Sequence, residues 1–240
     1  MNNFVEEANV MLTPKENLLE ALKFDKGRPE CLPNDWTMCR DIAGDPIFKL
    51  VRGNRVRGTE SFDQWGTKIL FPEDAPAAVP YVTPENQVIK DITEWQKYVK
   101  APDLRAKCSE GWEAAIENVK KIDHDKHVSM VIMGTGIFEQ LHMLMTFEDT
   151  LMNMLLEPEA MQDLIDYICE YRLTYMQMIV ENLHPDMIVS HDDWGSRSNL
   201  FFSLDTWREL FKEPYKKLYD YLHSENVIVM HHGDSYMEPL

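Results

Sequence analysis

Three apolar runs spaced by helical stretches constrain the fold of this chain most strongly: HVSMVIM at 127–133, DMIVS at 186–190 and NVIVM at 226–230. Each is strand-length and almost continuously apolar, the pattern of a strand covered on both faces. Between the first two, Met161, Leu164, Ile165, Ile168, Tyr175, Met176, Ile179 and Val180 recur at three- or four-residue spacing, the stripe of an amphipathic helix. Thr146, with Asp149 three residues on, opens one helix there and Pro158 another,. Ser203 opens a third through Trp207, Leu210, Phe211, Tyr215, Leu218 and Leu222. Strand–helix–strand–helix–strand predicts parallel βαβ units and an α/β fold. Whether such a sheet closes into a barrel or stays open, ligands gather at the carboxyl ends of its strands.

The front of the chain is less regular. Thr13-Pro14-Lys15-Glu16 is a capping box with proline at the first helical position,, predicting a helix through Leu18, Leu19 and Leu22 that ends near Gly27. Residues 28–105 are rich in Pro, Gly, Trp and Asp. Short strands are predicted at 47–51, 55–58 and 67–71, with Gly53-Asn54 as a hairpin turn and a loop over 72–86. Asp91 precedes a short helix carrying Trp95 and Tyr98, and a further helix runs from about 110 to 121. No repeat, low-complexity tract or linker interrupts the chain, so residues 1–240 read as a single domain.

Polar residues cluster where the strands end. SHDDWGSRSN at 190–199 puts His191, Asp192, Asp193 and Trp194 at the exit of the second strand. Neighbouring residues on a strand alternate sides, so only one of the two aspartates can enter a common mouth; the other caps the following turn or pairs with Arg197. HHGDS at 231–235 supplies His231, His232 and Asp234, a set that can ligate a metal or simply hold a hydrogen-bonded histidine. GTGIFE at 134–139 lacks the third glycine of a dinucleotide fingerprint, because Glu139 stands there,. Gly136 reads instead as a turn that lets a ligand approach the backbone. Trp65, in FDQWGTK at 62–68, offers a second aromatic wall beside Trp194.

Composition narrows the function classes. A net charge of -17 from 41 acidic and 24 basic residues repels phosphate backbones, which argues against nucleic acid as a partner. No apolar run reaches the ~18 residues of a membrane span, and the acidic start MNNFVEEANV is unlike a secretory signal. Cys31, Cys39, Cys108 and Cys169 show no CxxC spacing, which fits a reducing, cytoplasmic compartment.

Together, TPKENLLEALKFDKGRPE, DQWGTK, GTGIFEQLHMLMTFEDTLMNMLLEPEAMQDLIDYI, SHDDWGS and VIVMHHGDS resemble the uroporphyrinogen decarboxylase superfamily, and within it the branch of corrinoid-dependent methyltransferases. The resemblance implies a (β/α)8 TIM-type barrel. Members continue past the strand that ends at His231, so it also implies that the last strands and helices of the barrel are missing from these 240 residues. It implies a methyl donor, such as a methoxyaromatic, held in the mouth against Trp194 and Trp65, with Gly136 and His191 also binding it. His231 is the implied catalytic group, with or without a metal, and Asp192 or Asp193 positions the donor or carries a proton. The methyl group would pass to or from cobalamin carried by a separate corrinoid protein; a homodimer is also compatible. Members of this branch often hold zinc with His-x-Cys and a later cysteine. Gly233 stands at the first cysteine position, so a metal here would need His231 with His232 or Asp234. The superfamily's other activity, uroporphyrinogen decarboxylation, goes with an arginine-rich segment near the amino terminus. RPECLPNDWTMCRD at 28–41 lacks it, and the acidic balance suits a polycarboxylate poorly. A non-catalytic barrel fragment is the reading from another class.

Overall fold

The computed structural model describes residues 12–23, 38–53 and 55–240. The expected helix end at Gly27, the thiol of Cys31 and Asn54 of the expected hairpin lie outside them. Helix α1, Pro14–Ala21, carries the complete capping box: Thr13 Oγ1 accepts from Glu16 N, and the Glu16 carboxylate accepts from Thr13 N.

A four-stranded parallel sheet organises the rest. Its strands are β1 (Cys39–Asp41), β5 (Val128–Met133), β6 (Met187–His191) and β7 (Ile228–His232), in the spatial order β1-β5-β6-β7. Chain order and spatial order agree, so the sheet winds in one direction, as a barrel wall does and a doubly wound sheet does not. Its outer strands are β1 and β7, so the expected barrel does not close among the described residues. A small antiparallel sheet of β2 (Thr59–Phe62), β3 (Lys68–Phe71) and β4 (Val79–Pro80) lies in the front segment.

Alternation along the parallel strands separates two cores. Val128, Met130, Met187, Val189, Ile228 and Met230 face one side, where Leu18 of α1 and Met38 join them. Helix α1 crosses the amino-terminal strand ends, with Lys15 N donating to Lys126 O (2.8 Å) and Lys15 Nζ paired with Asp186 (3.0 Å). Val131, Met133, Ile188 and Val229 face the opposite side and pack into the larger core with the helices. Those helices are α3 (Leu104–Lys107), α4 (Glu113–Val119), α5 (Ile137–Leu144), α6 (Phe147–Leu156), α7 (Pro158–Leu183), α8 (Leu204–Leu210) and α9 (Lys212–Ser224). Thr146 and Ser203 cap α6 and α8 as the sequence predicts, and the predicted third helix breaks at Phe211 into α8 and α9.

Other expectations also differ from the structure, and the expected loop over 72–86 carries β4. Residues 47–51 form helix α2 (Pro46–Arg52), not a strand, because Asp45 accepts from Phe48 N (2.8 Å) and Pro46 takes the first helical position,. Gly53 is the C-cap of that helix at φ 65° and not part of a hairpin; the strand after it starts at Thr59, and the β2–β3 turn is Asp63–Gly66. Strand β7 extends two residues past Met230, because His191 pairs with His232 in the β6 register. His231 and His232 therefore lie inside the strand, on opposite faces.

Candidate functional site

Residues from the carboxyl ends of β5, β6 and β7 do converge, but parity splits them. His191 and His232 continue the face of Val189 and Met230, and their rings stand 5.0 Å apart. Asp193 shares that side. Ser190 and His231 continue the helix-facing side, and the Asp192 side chain joins them there.

Asp192 is fully buried and has four donors. Its carboxylate accepts from Phe138 N (2.9 Å) and Glu139 N (2.9 Å), in the first turn of α5, from Trp194 Nε1 (2.8 Å) and from the Tyr215 hydroxyl. A carboxylate at a helix amino terminus offsets the exposed amides and the positive end of the helix dipole. Gly136 follows from the same arrangement: a β-carbon there would lie 1.9 Å from Asp192 Cγ. The turn at Gly136 gives close approach to the side chain of Asp192, where the sequence suggested a ligand. Burial, and then the Asp192 charge, push the Tyr215 hydroxyl well above its ordinary range.

His231 is held from three directions. Its Nε2–H donates to the Asp192 carbonyl (3.2 Å), so Nδ1 accepts from the Tyr219 hydroxyl (2.7 Å). Its ring lies 4.1 Å from that of Trp194. Both nitrogens are engaged, and burial lowers its pKa from 6.5 to about 4, leaving a neutral imidazole. The expected metal set of His231, His232 and Asp234 is not brought together: His231 and His232 point to opposite faces of β7, both His231 nitrogens are engaged, and the Asp234 carboxylate stands 3.8 Å from His232 Nε2 alone. Trp194 is buried, its indole N–H is engaged by Asp192, and Trp207 and Tyr215 pack around it. Trp65 packs edge-on against Tyr167 and Tyr171 of α7, and among the described residues its ring does not pair with that of Trp194, which packs on Trp207, Tyr215 and His231 instead.

On the other face, His191 lies between two carboxylates. Its Nδ1 is 3.3 Å from Glu139 Oε2, and its Nε2 is 3.6 Å from Asp193 Oδ1. Asp193 also accepts from Asp234 N (2.6 Å), which ties the β6 and β7 exits together. Glu139 accepts from Gly136 N (3.1 Å). Burial, then the Asp192 and Asp193 charges, push its pKa up from 4.5 to about 7. Glu139, His191 and Asp193 each offer one ligand atom within 4.8 Å of the others, a group able to hold a metal ion. Oxygen and imidazole donors in this number suit a borderline cation such as zinc. The sequence reading placed His191 and Asp193 at the site but passed over Glu139. Its signal was a carboxylate three residues after Gly136, which reads equally as a helix cap.

Arg172 of α7 is the cation behind this end of the sheet. It is buried, and its guanidinium donates to Thr135 O and to Ser190 Oγ (3.0 Å). A cleft of about 570 Å3 lies elsewhere, between α7 and the α8–α9 pair, and its buried Cys169 thiol is pushed up to about 11 by burial. That thiol stays protonated and unreactive at neutral pH.

The sequence model of the family described as uroporphyrinogen decarboxylase (URO-D) matches residues 61–239, three-quarters of the chain. No curated protein matches the chain significantly.

Proposed function

The chain belongs to the uroporphyrinogen decarboxylase family, and on that premise we propose that it moves a methyl group between a small methylated substrate, such as a methoxyaromatic, and the cobalt of a separate corrinoid protein. The observation that carries this reading is the sign of the charge at the strand ends. Asp193 and Asp234 stand beside His191 and His232, while the nearby cation, Arg172, is buried and tied to Thr135 and Ser190. A substrate bearing several carboxylates would meet like charge here, whereas a neutral methyl donor would not.

In the forward direction the donor's carbon–oxygen bond breaks and its methyl group goes to the reduced cobalt of the partner. The electron pair stays on the oxygen, which must take up a proton. Glu139 is suited to deliver it, because a carboxyl group with a pKa near 7 is substantially protonated at neutral pH,. Asp193 holds His191, and His191 holds Glu139 toward the mouth. A zinc ion held by Glu139, His191 and Asp193 would supply the same activation as a Lewis acid. Asp192 and His231 act behind this group: Asp192 anchors the first turn of α5, from which Glu139 projects, and His231 pins the backbone of the β6 exit.

The test incubates the protein with reduced cobalamin and a panel of methoxyarenes and methyl thioethers, and follows methylcobalamin by its absorbance. Methyl transfer from a neutral donor is expected. Turnover of uroporphyrinogen without corrinoid, with no methyl transfer, would overturn the proposal.

A further inference from the structure

Helix α7 runs antiparallel to the strands and overshoots them. Its Arg172 bonds Thr135 and Ser190 at the carboxyl strand ends, so residues 158–171 project beyond, roughly 20 Å of helix at about 1.5 Å per residue,. Helix α6 packs along this projection and ends at its tip. Thr150 and Met154 face inward, but Phe147, Met152, Leu155 and Leu156 are 40%, 46%, 74% and 67% exposed. Two adjacent leucines so far in water forgo apolar burial, and exposed apolar surface of this kind marks an interaction site. The patch is continuous with the site: Phe147 packs on Phe201 (4.9 Å), His142 (5.7 Å) and Phe138 (6.0 Å), next to Glu139.

Charge decides what covers it. Glu148, Glu157 and Glu159, on α6 and at the α6–α7 junction, are exposed, and the sequence has no lysine or arginine between Lys126 and Arg172. A second copy would bring the same acids face to face, and anionic lipid would be repelled. We propose that this face of α6 docks the corrinoid-carrying partner through a complementary surface, apolar at its centre and rimmed by lysine or arginine. The proposal rests on the methyl-transfer reading above. It places the partner over the strand ends, with α6 as one side of its cradle.

The experiment measures methyl transfer from one donor to two acceptors, the corrinoid protein and free cobalamin, for the wild type, Leu155→Ser/Leu156→Ser and Glu148→Lys/Glu159→Lys. The expected result is a KM for the corrinoid protein raised about tenfold or more in both variants, with transfer to free cobalamin unchanged. Equal losses with both acceptors would show that the patch serves the site or the fold, and would overturn the proposal. Unchanged transfer in both variants would overturn it as well. So would sedimentation showing a wild-type dimer that the leucine variant abolishes, since a second copy would then occupy the face. If the wild type methylates neither acceptor, the methyl-transfer reading itself falls and docking falls with it, an outcome distinct from the others.

Discussion

Replacing Asp192 by alanine removes the acceptor for four groups at once: the Phe138 and Glu139 amides, the Trp194 indole N–H and the Tyr215 hydroxyl. A buried donor left without a partner costs about 1–3 kcal/mol. Water entering the vacated space recovers part of this, so we expect a loss of about 5 kcal/mol. Asparagine keeps one oxygen for the three donors on Oδ2 but turns an amide toward Glu139 N, for a loss of about 2 kcal/mol. With a urea dependence of about 3 kcal/mol per molar, the unfolding midpoints should fall by about 1.7 M for alanine and 0.7 M for asparagine, read by tryptophan fluorescence. Gly136→Ala puts a β-carbon 1.9 Å from Asp192 Cγ and should cost about 1–3 kcal/mol as an overpacked contact. The clash persists in an Asp192→Ala background, because the β-carbon of residue 192 itself lies 2.1 Å away; only Asp192→Gly should relieve it, and a double-mutant cycle with that variant should return a coupling of about 1 kcal/mol or more. An Asp192→Ala unfolding free energy within about 0.5 kcal/mol of wild type would refute the assignment of Asp192 as the strut between β6 and α5.

Glu139 titrates in the folded state near 7 against an ordinary 4.5. Ionising it therefore costs native stability, from nothing below pH 4.5 to about 3 kcal/mol at pH 7 and above. Chemical denaturation of Glu139→Gln should show a flatter stability curve between those limits and a gain over wild type at pH 8. His231 has the opposite sign. Its folded pKa near 4 lies below 6.5, so its stabilising contribution is complete above pH 6.5 and is lost as pH falls toward 4; His231→Gln should lose that acid limb in the same assay. Calorimetric zinc titration should show one site that His191→Ala or Asp193→Ala removes and His232→Ala leaves.

Much of the fold was legible in local sequence because its signals are local. Thr13, Asp91, Thr146, Pro158 and Ser203 each open a helical turn where capping chemistry predicts, and the three apolar runs are the three longest parallel strands. Strand β1 was missed because CRD has an apolar residue at only one of its three positions and owes its conformation to pairing with β5. IFKLV in α2 was misread because a short apolar run fits strand and helix alike, and Asp45-Pro46 decides the matter. The site was half legible. Alternation separated Asp192 from Asp193, but the two-residue extension of β7, set by its pairing with β6, decided which histidine faces which side. Glu139 reads in sequence only as a helix cap, because its significance comes from burial beside Asp192 and contact with His191, which belong to tertiary structure.

The most direct test of the account is the pH dependence of methyl transfer to free cobalamin by the wild type and by Glu139→Gln. Wild-type kcat/KM should fall as pH rises through about 7, as the carboxyl group loses the proton it donates,. Glu139→Gln should be slower by about a hundredfold or more and should lack that limb. A Glu139→Gln enzyme with wild-type rate and an unchanged profile would contradict the account.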